Sequence, residues 1–243
     1  MNAVSIFGAI AGTTFRALLG RRRTLLMGIL ALIPVLIAIL YRLAGEGMVD
    51  DRVILDLLIV RTVLPLTALV FGTTALGAEL DDGTGVALLT KPIPRWQIIL
   101  AKIAVAGAVS ALFAVVSTIV TELVLGAADP AGTAAAYTLG VLVGAFAYAT
   151  GFVALSVVTS RALIAGLAYT LLWEGWLAGI LPGTRILSLR EATLGIIDAV
   201  SPRVFERDGL DFTGSIVLVG IVLIGGFLIA TSRLARYQVR GGD

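Results

Sequence analysis

Six stretches of the chain stay apolar long enough to cross a bilayer. They are Thr24–Leu43, Asp56–Leu80, Gln97–Leu125, Ala135–Thr159, Ala162–Leu181 and Thr213–Leu234. A hydrocarbon core of about 30 Å needs roughly 20 apolar residues as helix. The runs are continuous and do not alternate apolar with polar, which predicts helices rather than a barrel. Pro34 and Pro65 fall inside the first two runs, where a kink is expected. Ahead of the first run, Val4, Ile6, Phe7, Ile10, Phe15, Leu18 and Leu19 recur at helical spacing, with Arg16 and Arg21–Arg23 beside them. This predicts a short helix in the membrane interface within residues 1–23. The connections 44–55, 126–134 and Ser160–Arg161 are short, whereas 81–96 and 182–212 are larger. The last carries Ile186, Leu187, Leu189, Leu194, Ile196, Ile197 and Val200, which predict short helices that touch or re-enter the membrane. Gly140 and Gly144 stand four residues apart and let helices approach closely, within the chain rather than between copies.

Composition strengthens this picture. Of 243 residues, 58% are hydrophobic and only 14% charged, against about 25% charged in a soluble domain. A soluble surface could not be covered, so lipid is the solvent. The positions of the charges predict orientation. With the N-terminus in the cytoplasm, Arg21–Arg23, Lys91, Arg95, Lys102, Arg161, Arg233 and Arg236 fall inside, and most acids fall outside. Both termini are then cytoplasmic, in the plasma or inner membrane. No cleavable signal is visible, and the N-terminus is expected to be retained. The chain has no cysteine and no histidine, which argues against thiolate, zinc and haem sites and against a Ser-His-Asp triad.

Two acids lie within the apolar runs. Glu174 stands between Trp173 and Trp176, and Glu122 near the outer end of the third run. An acid at membrane depth tends to face a cavity or a partner. Glu174 and Glu122 are therefore candidates for lining a translocation pathway. Glu174 also reads as an interfacial acid among belt tryptophans, and Glu122 as a snorkelling side chain. Arg61 either snorkels outward or pairs with one of these acids, and the sequence leaves that choice open.

The most informative segment is Glu79–Lys102, ELDDGTGVALLTKPIPRWQIILAK. Glu79, Asp81 and Asp82 close the second run, and Gly83 and Gly85 break the helix. Val86–Thr90 can form a short surface helix, ended by Pro92 and Pro94. Arg95 and Trp96 sit at the interface. The pattern Glu79, Gly83, Thr84, Leu88, Leu89, Pro92, Arg95, Lys102 resembles the coupling segment of ABC-2 type transporter permeases. The likeness extends to the six spans, the interfacial N-terminal helix and the large loop before the last span.

That resemblance implies an all-α membrane protein, a single permease domain over 1–243. Its coupling segment, 81–96, would dock on an ATPase through Glu79, Asp81, Asp82, Gly83, Thr84, Leu88, Leu89, Lys91 and Arg95. It implies two copies of an ABC ATPase subunit carrying ATP and Mg, and a second permease as homodimer or heterodimer. Membrane lipid is the remaining partner, with no nucleic acid. Export of a small amphipathic or lipophilic molecule is the expected activity. The chain holds no G-x-x-x-x-G-K-[ST], and Asp82-Gly83-Thr84-Gly85 lacks the lysine that phosphates need, so hydrolysis is expected elsewhere. An ion-coupled carrier or a membrane scaffold is the alternative. A carrier tends to show paired broken helices and several buried polar groups, which are sparse here. An intramembrane enzyme would need a polar catalytic cluster that these isolated acids do not supply.

Overall fold

The computed structural model describes residues 3–45, 51–81, 94–126, 130–178, 182–202 and 209–236. Of these residues 92% are helical, with no strand among them. We number eight helices. α1 is Ala3–Leu18 and α2 is Arg21–Leu43. α3 covers 51–81, with α-helix at Asp51–Ile54 and Leu64–Asp81 flanking a π-helical stretch at Leu55–Val63. α4 is Arg95–Leu125 and α5 is Pro130–Val158. α6 is Ala162–Leu177, whose second part, Tyr169–Leu177, is again π-helical. A 3-10 turn at Pro182–Leu187 leads to α7, Leu189–Val200, and α8 is Phe212–Ala235.

Five of these, α2 to α5 and α8, are long and apolar enough to cross a membrane. Among the described residues α6 has 7 α-helical and 9 π-helical residues, and 179–181 of the expected fifth span lie outside the described residues. At the α-helical rise the described part covers only about 24 Å, and a π turn rises less per residue. The second span also begins earlier than its apolar run, because Asp51–Ile54 already joins the helix.

Pro65 explains the π stretch in α3. It offers no N–H to the carbonyl four residues back, and its ring crowds that carbonyl. The ladder widens instead, and the Leu64 N–H bonds to the Ile59 carbonyl, five residues back. Pro34 is buried in α2, which runs unbroken from Arg21 to Leu43.

α5 stands at the centre, against α3, α4, α7 and α8. In their most apolar stretches 56–61% of residues in α3, α4 and α5 are buried, against 17% in α2 and α8. The outer helices turn Leu25, Ile29, Leu32, Leu36, Ile221, Ile224 and Leu228 outward, a face that water would penalise and lipid accepts.

The core divides into two layers. The first lies at the end carrying Arg21–Arg23, Arg95, Arg161 and Arg233, and unites Ile10, Leu18, Met27, Leu76, Ile98, Ile99, Ala230 and Leu234. α1 closes it, burying Ile10, Thr14 and Leu18 on one face against α3 and α4. The amphipathic pattern thus forms a helix with one packed face. The second layer, at the opposite end, contains Leu55, Ile59, Tyr137, Val141, Leu194 and Ile197. There α7 fills the space.

Candidate functional site

The expected coupling segment joins α3 to α4. Glu79 and Asp81 have backbones in the last turn of α3, and their side chains lie outside the described set. Asp82, Gly83, Thr84, Leu88, Leu89 and Lys91 fall outside the described residues altogether. Arg95 opens α4 and is half-buried beside the exposed Trp96. Pro94 precedes it with an extended backbone, φ −64° and ψ 131°. The helices that flank the segment pack on each other and on α5, so both of its anchors belong to the central bundle.

Glu174 is buried and held by bonds that neither sequence reading named. Its side chain is 3% exposed, whereas Trp176 is 67% exposed. Five donors converge on its carboxyl oxygens. Tyr169 Oη donates to Oε1 and Tyr148 Oη to Oε2, each at 2.6 Å. The backbone N–H of Leu189 reaches Oε1 at 2.9 Å, that of Arg190 reaches Oε2 at 3.1 Å, and Ser188 Oγ lies 3.4 Å from Oε2. The two N–H groups belong to the first turn of α7, which has no partner for them within the helix. A negative side chain there also complements the helix dipole. Ser188 caps the same turn, its Oγ accepting from the Glu191 N–H at 3.2 Å.

The other end of α7 is held as well. Arg52 donates Nη1 to the Ser201 carbonyl at 2.9 Å and Nη2 to Ser201 Oγ at 2.7 Å. A guanidinium suits a helix C-terminus as a carboxylate suits the N-terminus. Arg61 chooses neither acid by the contact it makes: its Nη2 donates to the Gly175 carbonyl at 2.7 Å. That bond joins the π stretch of α3 to that of α6. Asp56 in the same stretch accepts from Tyr137 Oη of α5 at 2.5 Å.

These contacts relate α6 to α7. Gly175 of α6 lies at the depth of Arg61, while α7 ends at the depth of Arg52, nine residues away along α3. That separation is about 13 Å, and α7 with its 12 residues climbs across it. α6 and α7 together therefore cover the thickness that the longer helices cover alone.

The α5–α7 seam rests on the glycine pair. A Cβ at Gly140 would meet Ile197 Cγ1 at 2.4 Å, and one at Gly144 would meet Thr193 Oγ1 at 2.7 Å. The pair thus packs within the chain, as expected from its spacing.

Glu122 is 1% exposed in the last turn of α4. It shares a buried polar face with Ser117, Thr118 and Thr121, where Ser117 Oγ donates to the Ala31 carbonyl of α2 at 2.7 Å. α4 packs on α1, α2, α3, α5 and α8, and α6 on α3 and α5, so the two acids occupy separate parts of the bundle. Sequence reasoning missed Tyr148, Tyr169, Ser188 and Arg52. Only Ser188 carried a readable signal, the S-x-x-E of Ser188–Glu191 ahead of an apolar run.

An all-helical bundle with five long apolar helices and a buried helix held by side chains from its neighbours is a multi-pass membrane protein. Residues 1–181 match the family described as ABC-2 family transporter protein, and the chain belongs to it. The family's permeases typically pair with an ABC ATPase. The match takes in α1 to α6 and Glu174, and stops short of α7 and α8. Among curated proteins, none matches the chain.

Proposed function

We propose that the chain is the membrane-spanning permease of an ATP-driven exporter for a small amphipathic or lipophilic molecule, with ATP hydrolysis on a separate ABC ATPase. The observation that carries this reading is the family match across α1 to α6, which brackets the coupling segment. In this reading the basic end, with Arg21–Arg23 and Arg95, faces the cytoplasm. Leu88 and Leu89 fill an apolar groove on the ATPase, and Glu79, Asp81, Asp82, Lys91 and Arg95 orient the docking. Gly83 and Thr84 belong to the same docking segment. Two ATPase subunits serve two permeases, and their closure on ATP and Mg pushes the segment against α3 and α4. Glu174 acts on the pathway through α7, whose start it fixes. Glu122 contributes the buried polar face of α4.

The test is recovery of the tagged chain from native membranes in mild detergent. An ABC ATPase should accompany it in near-equal amount. Replacing Leu88 and Leu89 by Asp should weaken that association by about 100-fold or more, since burying each leucine is worth about 1.5–3 kcal/mol. Membrane insertion should persist. Recovery without any ATPase, in conditions that keep known complexes whole, would sink this reading in favour of a carrier or scaffold.

A further inference from the structure

The arginines at the two ends of the bundle are bonded differently. At the end that carries Arg52, the side chains of Arg42, Arg61 and Arg185 donate to the carbonyls of Val124, Gly175 and Ala178. Arg52 holds Ser201, and Arg190 pairs with Glu191. At the basic end Arg16, Arg21, Arg22, Arg23, Arg161 and Arg233 are exposed, and their guanidinium groups have no partner among the described residues. Four of these adjoin, because only Leu19 and Gly20 separate α1, with Arg16 in its last turn, from Arg21. We propose that the start of α2 holds one anionic phospholipid of the surrounding bilayer, its phosphate on Arg21 and Arg22 and an acyl chain in the groove between α2 and α4. The site goes beyond the export reading and does not rest on it.

Three observations carry the proposal. The first is charge without an internal counterion. Gly20 offers α2 no side-chain cap, and the backbone N–H groups of Arg21–Arg23 are unbonded among the described residues. Backbone donors and guanidinium groups therefore gather at one turn, a combination that suits phosphate oxygens. The second is what lies beside that charge. Arg21 and Arg22 stand one turn ahead of Leu25 and Leu26, which are 58% and 61% exposed. An anion held there is about 5 Å along the helix from a face made for lipid. A protein segment offering carboxylates would have to carry them to that boundary, whereas a phospholipid already spans it. The third is the groove. A cavity of about 550 Å³ lies between α2 and α4, with Thr24, Leu25, Gly28, Leu32, Leu112 and Val116 among its walls. Arg21 shares the side of α2 that carries Thr24, Leu25, Gly28 and Leu32. Helical side chains lean toward the N-terminus, which takes its guanidinium past the mouth of the groove. Gly28 has open space where a Cβ would stand. Thr24, at the mouth, keeps a hydroxyl with no bond partner, whereas Thr67, Thr73 and Thr170 bond the carbonyl four residues back. A second groove, of about 440 Å³ between α5, α6 and α8, has no charged side chain among its walls. Of the two, that between α2 and α4 joins hydrocarbon to charge.

The test is native mass spectrometry of the full chain in mild detergent, titrated with dioleoyl phosphatidylglycerol or dioleoyl phosphatidylcholine. One phosphatidylglycerol should stay bound and saturate. Phosphatidylcholine, whose headgroup has no net charge, should bind about tenfold or more weakly. Arg21→Gln combined with Arg22→Gln should weaken phosphatidylglycerol about tenfold or more. Arg161→Gln combined with Arg233→Gln removes the same charge elsewhere and should leave binding unchanged. Gly28→Leu fills the groove without touching charge and should weaken binding about fivefold or more. That variant decides the matter where the arginine pair inserts poorly. Glycerol phosphate, the anion without a chain, should not displace the lipid, and lysophosphatidylglycerol, with one chain, should. Equal binding of the two lipids, equal loss from the two arginine pairs, full binding to Gly28→Leu, or displacement by glycerol phosphate would each overturn the proposal. So would full phosphatidylglycerol binding by the Arg21→Gln, Arg22→Gln chain together with loss of a co-purifying ATPase, which would give these arginines to a protein partner. Failure to recover any ATPase from native membranes would overturn the export reading and leave this site standing.

Discussion

At the scale of single residues, Glu174 sets the terms for its neighbours. A carboxylate offers about four lone-pair positions, and five donors crowd onto this one. Glu174→Gln tests how much rests on it. If the amide oxygen takes the place of Oε1, it still serves Tyr169 and Leu189. The amide nitrogen then faces Tyr148, Ser188 and Arg190. The two hydroxyls can rotate to accept, but the Arg190 N–H cannot. One buried donor is orphaned, at a cost of about 1–3 kcal/mol. For a chain of this size that lowers the melting temperature in detergent by about 2–12 °C. Trp176→Leu, on the exposed neighbour, should leave it unchanged. Equal melting of Glu174→Gln and the parent would deny Glu174 its role in holding α7. The sequence pointed to Glu174 as an intramembrane acid but could not show its partners. Tyr169 lies five residues before it, a spacing that separates side chains on an α-helix. Only the π turn brings them to one face.

At the scale of elements, α7 is a buried piece that left little signal in the sequence. Its apolar residues were visible, and so was a helix in that loop. Its burial on nearly every side was not, because it depends on notches in other elements. Gly195 of α7 has Ser215 Oγ at 2.2 Å and the Leu210 carbonyl at 2.5 Å from the place a Cβ would take, so it fits against the start of α8 as Gly140 fits against α7. Gly140→Ala should force α7 outward, since Ile197 is fully buried and has nowhere to turn. The chain has no cysteine, so a thiol at Ile196→Cys reports on one place. That site is 2% exposed and should react slowly with a water-soluble maleimide in the parent, and about tenfold faster or more with Gly140→Ala added. An unchanged rate would mean the seam repacks around a methyl group. The π stretch of α6 was equally hidden. Its apolar run continues to Leu181, but the helix widens at Tyr169, and Glu174 within that stretch turns to the next element.

At the scale of the whole molecule, six apolar runs imply termini on one side only if α6 crosses. The structure supplies a reason why a helix of 7 and 9 residues could do so. It starts beside Arg161 at the basic end and hands over to α7, whose C-terminus reaches Arg52 at the other. The crossing is then a composite, and α8 returns to the basic end, where Leu234 joins the layer that contains Leu18 and Ile98. In the proposed reading that end faces the cytoplasm. A green fluorescent protein fused after Asp243 should therefore fluoresce, and alkaline phosphatase fused there should stay inactive. Phosphatase fused after Gly45, between α2 and α3, should be active. An active phosphatase at both positions would mean an odd number of crossings. The composite would then fail as a span, and α7 would return to the side from which α6 set out. Replacing Arg21–Arg23 by alanine separates charge from packing as the source of orientation. Those three residues open α2, only 17% of whose most apolar stretch is buried, so little packing opposes a flip there. Phosphatase activity after Gly45 should drop severalfold if charge directs insertion, and persist if the bundle alone does.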